Sequence, residues 1–190
     1  MKLDKTMRIL PYENIEPQIH PSAYLASGAV VSGDVQIGSE TGIWFNAVIR
    51  GDVSPTVIGE RVSIQDNSTL HQRPNLALII EDEVTVGHNA ILHSCHIKKG
   101  ALIGMGAIVL DGAVIGEGAF VAAGALVPPR AEVPPGMVVM GSPARVVRRV
   151  TEAEVANMER IRRTYVEKGQ YYKRMEEEYR QKDRQPNVPK

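Results

Sequence analysis

The feature that most constrains this chain is a six-residue period in its aliphatic positions. Leu25, Val31, Ile37, Ile43 and Ile49 stand six apart, followed by Ile58, Ile64 and Leu70, then Ile80, Val86 and Leu92. The period resumes in Ile97, Ile103, Val109, Ile115, Val121, Val127, Val133 and Val139. Glycine directly follows several of these, as in Ile37-Gly38, Ile58-Gly59, Val86-Gly87, Ile103-Gly104 and Ile115-Gly116. A helix of 3.6 residues per turn cannot keep such a series on one face.

Six residues suffice for one short strand and one corner, with the aliphatic side chain pointing inward. Three such hexads close one triangular coil. The predicted fold is therefore mainly β: a left-handed parallel β-helix of hexapeptide repeats. Nineteen periodic positions make about six coils, and at ~4.8 Å per coil the prism is on the order of 30 Å tall. Composition agrees, since aromatics are only 5% of the chain and 17 of 190 residues are Gly, which suits a core of aliphatic and small side chains with tight corners.

The period breaks three times: Ile49 to Ile58 spans nine residues, Leu70 to Ile80 ten, and Leu92 to Ile97 five. All three breaks surround histidines. Insertions in a solenoid emerge as loops on one face, commonly a binding face.

From Thr151 the pattern turns helical, with Thr151 and Glu154 at capping-box spacing. We expect a lead-in over 1–20, the β-helix over 21–145, a C-terminal α-helix over 151–182, and a disordered tail over 183–190. A continuous helix of that length measures ~48 Å, longer than the prism, so it must overhang, bend near Gly169 or meet a neighbouring subunit.

Lys+Arg and Asp+Glu both number 22, so no basic face for nucleic acid is implied. The lone Cys95 cannot form an internal disulfide, and the opening MKLDKTMRIL lacks a signal peptide's apolar stretch, so a cytoplasmic location is expected. No apolar run approaches the roughly 18 residues of a membrane span, and no membrane partner is expected.

Every third hexad lies on the same face, so Arg50, His71 and His93, which follow Ile49, Leu70 and Leu92, should stack outward in consecutive coils. Two imidazoles ~4.8 Å apart suit two ligands on one metal. His88 falls near the preceding corner, and side chains on a convex prism diverge, so one chain cannot bring all three imidazoles within the roughly 2.0–2.1 Å of a Zn–N bond. A homotrimer resolves this, with His71 and His93 of one subunit facing His88 of the next.

Arg50-Gly51-Asp52, Gln65-Asp66-Asn67, His71, and His88 with His93 five residues on resemble the motif set of γ-class carbonic anhydrases and their bacterial relatives. The resemblance runs from about Pro11 through Gly141-Ser142-Pro143-Ala144 and takes in the helix. It implies that His71, His88 and His93 hold a metal with a position open for water, zinc first and ferrous iron or cobalt as alternatives. By the same resemblance Arg50 and Asp52 pair and help join subunits, Gln65 positions or polarises the water, Asp66 joins the same network, and Tyr165 reaches from the helix towards the cleft. Metal-bound hydroxide attacking carbon dioxide to give bicarbonate is the implied reaction. The sequence departs from the best-studied members in two places. Their acidic loop is absent where His71 runs into Gln72-Arg73-Pro74-Asn75, and Val53 stands where a glutamate follows their Arg-Gly-Asp, so the acidic groups that shuttle protons there are missing.

Plainer roles compete for each residue. The histidines could be ordinary interface polar groups, Arg50 and Asp52 a salt bridge alone, and Gln65 and Asp66 corner hydrogen bonds. Trp44, one residue after Ile43, should stack beside Gln65 and pack at an interface. Tyr165 is explained by helical packing, and Cys95 as a small buried residue. Alternative functions are a metal-dependent acyl-CoA thioesterase, for which the short 72–79 loop leaves room, a hexapeptide acyltransferase, and a noncatalytic metal or ligand binder. The substrate is small in each case.

Overall fold

A computed structural model describes residues 8–184, and they form a left-handed β-helix capped by a single helix. All nineteen periodic aliphatics point inward, none more than 7% exposed. They stack in three columns, one per face. Ile43, Ile64, Val86, Ile103, Val121 and Val139 are in register on one face. Ile49, Leu70, Leu92, Val109 and Val127 stack on the second. Ile37, Ile58, Ile80, Ile97, Ile115 and Val133 complete the third. Alanines two residues before many of these, such as Ala47, Ala90, Ala107 and Ala125, fill the remaining interior. Each buried aliphatic contributes roughly 1.5–3 kcal/mol relative to exposure, and the column arrangement repeats that gain coil after coil.

The corners need a left-handed backbone. Asn46, Asn67 and Asn89 occupy one vertical row of corners with φ near 60°, and Gly106 (φ 66°) continues that row. Asparagine and glycine tolerate this region best, which explains their recurrence there.

Two of the three breaks in the period take forms the spacing did not specify. The nine-residue step is absorbed by one continuous strand, Val48–Ile58, that passes from the second face to the third, rather than by a projecting loop. The ten-residue step does project, as a short turn closed by an antiparallel bridge between Arg73 and Leu76. Ser54 Oγ donates to Arg73 O, Arg73 N donates to Ser94 Oγ, and Ser94 Oγ donates to Leu76 O, so two serines stitch this turn to the prism.

The helix spans Glu152–Arg184. Thr151 N donates to Glu154 and Glu154 N to Thr151 Oγ1, which closes the capping box. From the last coils the helix runs back along the first face: Arg162 meets Glu83, Gln170 Nε2 donates to Ser22 O at 3.0 Å, and Tyr24 Oη donates to Glu176 at 3.1 Å. Gly169 is buried against Tyr24. Tyr165 and Tyr172 pack with Tyr24, Trp44 and Phe45 in an aromatic cluster under the helix. Trp44 is thus covered by its own chain's helix, which corrects the expectation that it packs at a subunit interface. Its indole N–H donates to Ser63 Oγ at 3.0 Å. No described helix is long and apolar enough to cross a membrane. The expected tail falls, beyond Arg184, outside the described residues.

Candidate metal centre

Register places the first pair of histidines. Leu92 lies over Leu70 and His93 over His71, and the strict alternation of a strand turns both imidazoles outward. His71 Nδ1 and His93 Nε2 face each other at 3.2 Å. The outer nitrogen of each ring meets a carboxylate: His71 Nε2 lies 3.1 Å from Asp52 Oδ1, and His93 Nδ1 bonds to Asp111 Oδ1. Each carboxylate has its own cation beyond. Arg50 donates to Asp52 Oδ2 at 2.6 Å, and Arg73 lies 4.0 Å from Asp111 Oδ2. The result is one continuous line, Arg50–Asp52–His71–His93–Asp111–Arg73, running across four successive coils. Partial burial alone would raise the carboxyl pKa of Asp52, but the hydrogen bonds from Arg50 and His71 outweigh it and hold that carboxyl below the usual range.

His88 belongs to a second group. The left-handed corner Gly87–Ala90 turns it toward the helix-covered face, where Nδ1 lies 2.6 Å from Asp66 Oδ2. Asp66 Oδ1 is itself fixed by the backbone N–H of Phe45 at 3.2 Å. The opposite ring nitrogen, Nε2, has Tyr165 Oη 3.4 Å away. The Tyr165 ring stands edge-on to Trp44 at 5.2 Å, so the residue packs under the helix while its hydroxyl faces His88. Burial, and next the charge of Asp66, push the Tyr165 phenol pKa up, so it stays protonated as a neutral donor. Gln65 sits beside Trp44 as its position predicts, 5% exposed.

Among the described residues no three histidine, cysteine or carboxylate side chains of one chain converge into a metal-holding group. The predicted residues instead fall into two half-sites, one with His71 and His93, the other with His88, Asp66 and Tyr165. The half-sites have the chemistry of a metal donor set. Three imidazole nitrogens, His71 Nδ1, His93 Nε2 and His88 Nε2, point away from carboxylates, and each ring is oriented by a carboxylate at its other nitrogen, the arrangement that holds ligating histidines in one tautomer. His20 and His96 stand apart from both half-sites, paired with Ser22 at 2.9 Å and with Glu81 at 2.7 Å. Cys95 is buried in the core, and burial pushes its thiol pKa up, which removes it as a reactive group.

Sequence reasoning missed Asp111 and the paired serines Ser54 and Ser94. Asp111 follows Val109 by two residues on the face of Leu92, so the column arithmetic contained it, but its hexad is regular and carries no motif.

Comparison with known proteins gives a consistent family and divided activities. Residues 94–129 match a family model described as bacterial transferase hexapeptide (six repeats). A protein of Geobacillus kaustophilus named carbonic anhydrase is 62% identical over 170 residues, covering 90% of this chain and 93% of that one. A Bacillus subtilis protein named uncharacterized transferase YtoA is 61% identical, covering 87% of this chain and 96% of its own length. The crystal structure of a hexapeptide transferase family protein from Anaplasma phagocytophilum superposes with a TM-score of 0.84 at 36% identity, covering 87% of this chain and 98% of that one.

Proposed function

This chain belongs to the hexapeptide-repeat family in its γ-carbonic anhydrase-like branch, and from that premise we propose that it is a metal-dependent enzyme hydrating carbon dioxide at sites shared between subunits of a homotrimer. The observation that carries the reading is the facing pair His71 Nδ1 and His93 Nε2, each ring backed by a carboxylate. Two donors leave a divalent ion under-coordinated. His88, oriented by Asp66 but remote from the pair, is the third donor when it comes from a neighbouring copy.

His71, His93 and a neighbour's His88 would hold zinc, or alternatively ferrous iron or cobalt, and such an ion polarises a water and lowers its pKa to about 7. The chain's own groups do the remaining work. Asp52, Asp66 and Asp111 accept the outer N–H of each ring and so aim the inner nitrogens into the site. Arg50 neutralises Asp52 and spares the site an unpaired charge. Gln65, nearly buried beside the aromatic cluster, supplies an amide that can orient a small substrate or water. Tyr165, held protonated, is a neutral donor beside His88. No acidic side chain occupies the places of Val53 or the 72–75 turn, so a proton leaves the site through solvent or buffer.

The test is stopped-flow carbon dioxide hydration by protein loaded anaerobically with zinc or ferrous iron, with bound metal measured on the same samples and His93→Ala as control. Metal-dependent hydration lost in the control is the expected result. Retention of full metal content in His93→Ala removes the reading.

A second reading, acyl transfer or thioester hydrolysis, has support from the transferase names among the relatives. Calorimetric titration with acetyl-CoA separates the two. A transferase binds it without metal, a thioesterase needs metal for turnover, and a carbonic anhydrase gives no heat.

A further inference from the structure

We propose that Asp111 is the positioning residue that fixes the tautomer and orientation of His93, an assignment that rests on the metal site proposed above. The motifs that define the histidine site end at His93. Asp111 lies a whole coil further on, in an otherwise regular hexad, and nothing in its local sequence marks it.

Its placement is over-determined by the backbone. Leu92 is in register with Val109, which sets Asp111 over Ser94, diagonal to His93. Gly112 N donates to Ser94 O at 2.7 Å below, and Arg130 N donates to Asp111 O at 2.9 Å above. The residue is thus pinned between two coils, with its side chain delivered to the outer edge of His93, where Oδ1 accepts from Nδ1. Arg73, on the projecting turn, lies at 4.0 Å from Oδ2 and helps hold the carboxylate in place.

The chemical consequence concerns the other side of the ring. A neutral imidazole has one N–H. With a carboxylate acceptor placed at Nδ1, the ring hydrogen is favoured on Nδ1, and Nε2 is the nitrogen that faces His71 and any cation between them. An amide at position 111 can donate its N–H₂ to Nδ1 instead, which moves the ring hydrogen to Nε2 and blocks the donor. Asp52 serves His71 in the same way from a coil below, so each histidine of the pair is oriented from its own end of the line.

The experiment uses the full-length protein and three variants, Asp111→Asn, Asp111→Ala and Asp111→Glu. The first readout needs no metal: long-range proton–nitrogen correlation spectra of ¹⁵N-histidine-labelled apoprotein report the tautomer of His93, assigned through His93→Ala. The second is zinc affinity by chelator competition, with circular dichroism and light scattering to monitor fold and assembly. We expect the Nδ1–H form in the wild type and in Asp111→Glu, and the Nε2–H form or a mixture in Asp111→Asn. Zinc affinity should fall about 10–100-fold in Asp111→Asn and Asp111→Ala, and Asp111→Glu should recover most of it. A folded Asp111→Asn that keeps the wild-type tautomer and zinc affinity overturns the assignment while leaving the metal site standing. Failure of the wild type to bind zinc removes the metal site, and the apoprotein tautomer in Asp111→Asn then decides alone whether Asp111 positions His93. Should Asp111→Ala not fold, Asp111→Asn, which conserves shape, carries the test alone.

Discussion

The glycine before His88 offers a quantitative test of how the prism supports the site. Successive coils approach so closely at Gly87 that an added Cβ would lie 2.7 Å from Met105 N and 3.0 Å from both Gly104 C and Ile103 O, whereas ordinary contact begins at 3.4 Å. All three are backbone atoms of the next coil, so Gly87→Ala must open the stack locally by about 0.7 Å. Overpacking of this kind costs ~1–3 kcal/mol. Weakening the 2.8 Å hydrogen bond from Gly87 N to Ile103 O adds ~1 kcal/mol, and the smaller entropy of the unfolded alanine chain offsets ~0.4–1 kcal/mol. The balance is a loss of ~1–3 kcal/mol, or a fall in Tm of roughly 2–12 °C at ~2–4 °C per kcal/mol. Gly106 is the internal control. A Cβ there meets nothing within 4 Å, and only its φ of 66° resists substitution. Gly106→Ala should cost ~1 kcal/mol or less after the same entropic offset, and Gly106→Asn less still, since Asn89 already holds that conformation one coil below. Differential scanning calorimetry of the three variants, with zinc content measured alongside, reads both stability and the aim of His88. Equal stability of Gly87→Ala and the wild type, or a larger loss at Gly106, would falsify the claim that coil spacing dictates glycine before His88.

Three further outcomes follow from the same geometry. Glu83 accepts from Arg61 at 2.9 Å and from Arg162 of the helix at 3.3 Å, and the Arg61 hydrogen bond is the main cause holding its carboxyl pKa below the usual range. Because the folded pKa is depressed, its contribution is present at neutral pH and lost as pH falls through that value, so Glu83→Gln should lower Tm at pH ~7 and approach the wild type once Glu83 of the latter is protonated. Cys95 should resist thiol reagents at pH ~8 in the native protein and react stoichiometrically on denaturation, as its burial and raised pKa require; rapid native labelling would contradict the buried placement. Tyr165→Phe keeps the aromatic packing and loses only a 3.4 Å contact to His88, so it should change stability by less than ~1 kcal/mol while lowering metal-dependent turnover; an unchanged rate would reduce Tyr165 to packing.

The sequence made the columns legible because the side chains of a six-residue repeat leave little choice about what faces in. Leu70, Leu92 and the other periodic aliphatics are buried, and His71 and His93 stand adjacent as the face arithmetic requires. Trp44 was misread for a physical reason: its face was correct, but whether that face meets a neighbour or the chain's own helix depends on the helix's path, which no repeat encodes. Asp111 escaped for the complementary reason. Its partner lies one coil away and diagonal, and its own hexad is regular and carries no motif to draw attention to that pairing. Likewise Ser54 and Ser94 are anonymous in sequence, and only the folded turn between Arg73 and Leu76 gives them carbonyls to hold.

The end of the stack has a consequence of its own. A parallel coil presents on its upper rim the same row of backbone donors and acceptors it satisfies below, so the rule that adds one coil to the next contains no stop, and a second molecule could continue it as a fibre. On the first face the strand Ala144–Arg149 ends that growth by pairing antiparallel with Met137–Gly141, with a register shift at Val138 and Val139. Its exposed Arg145 and Arg149 then present like charge to any identical rim that approaches, while Arg148 is paired with Glu154. A one-dimensional crystal is thereby given a last layer.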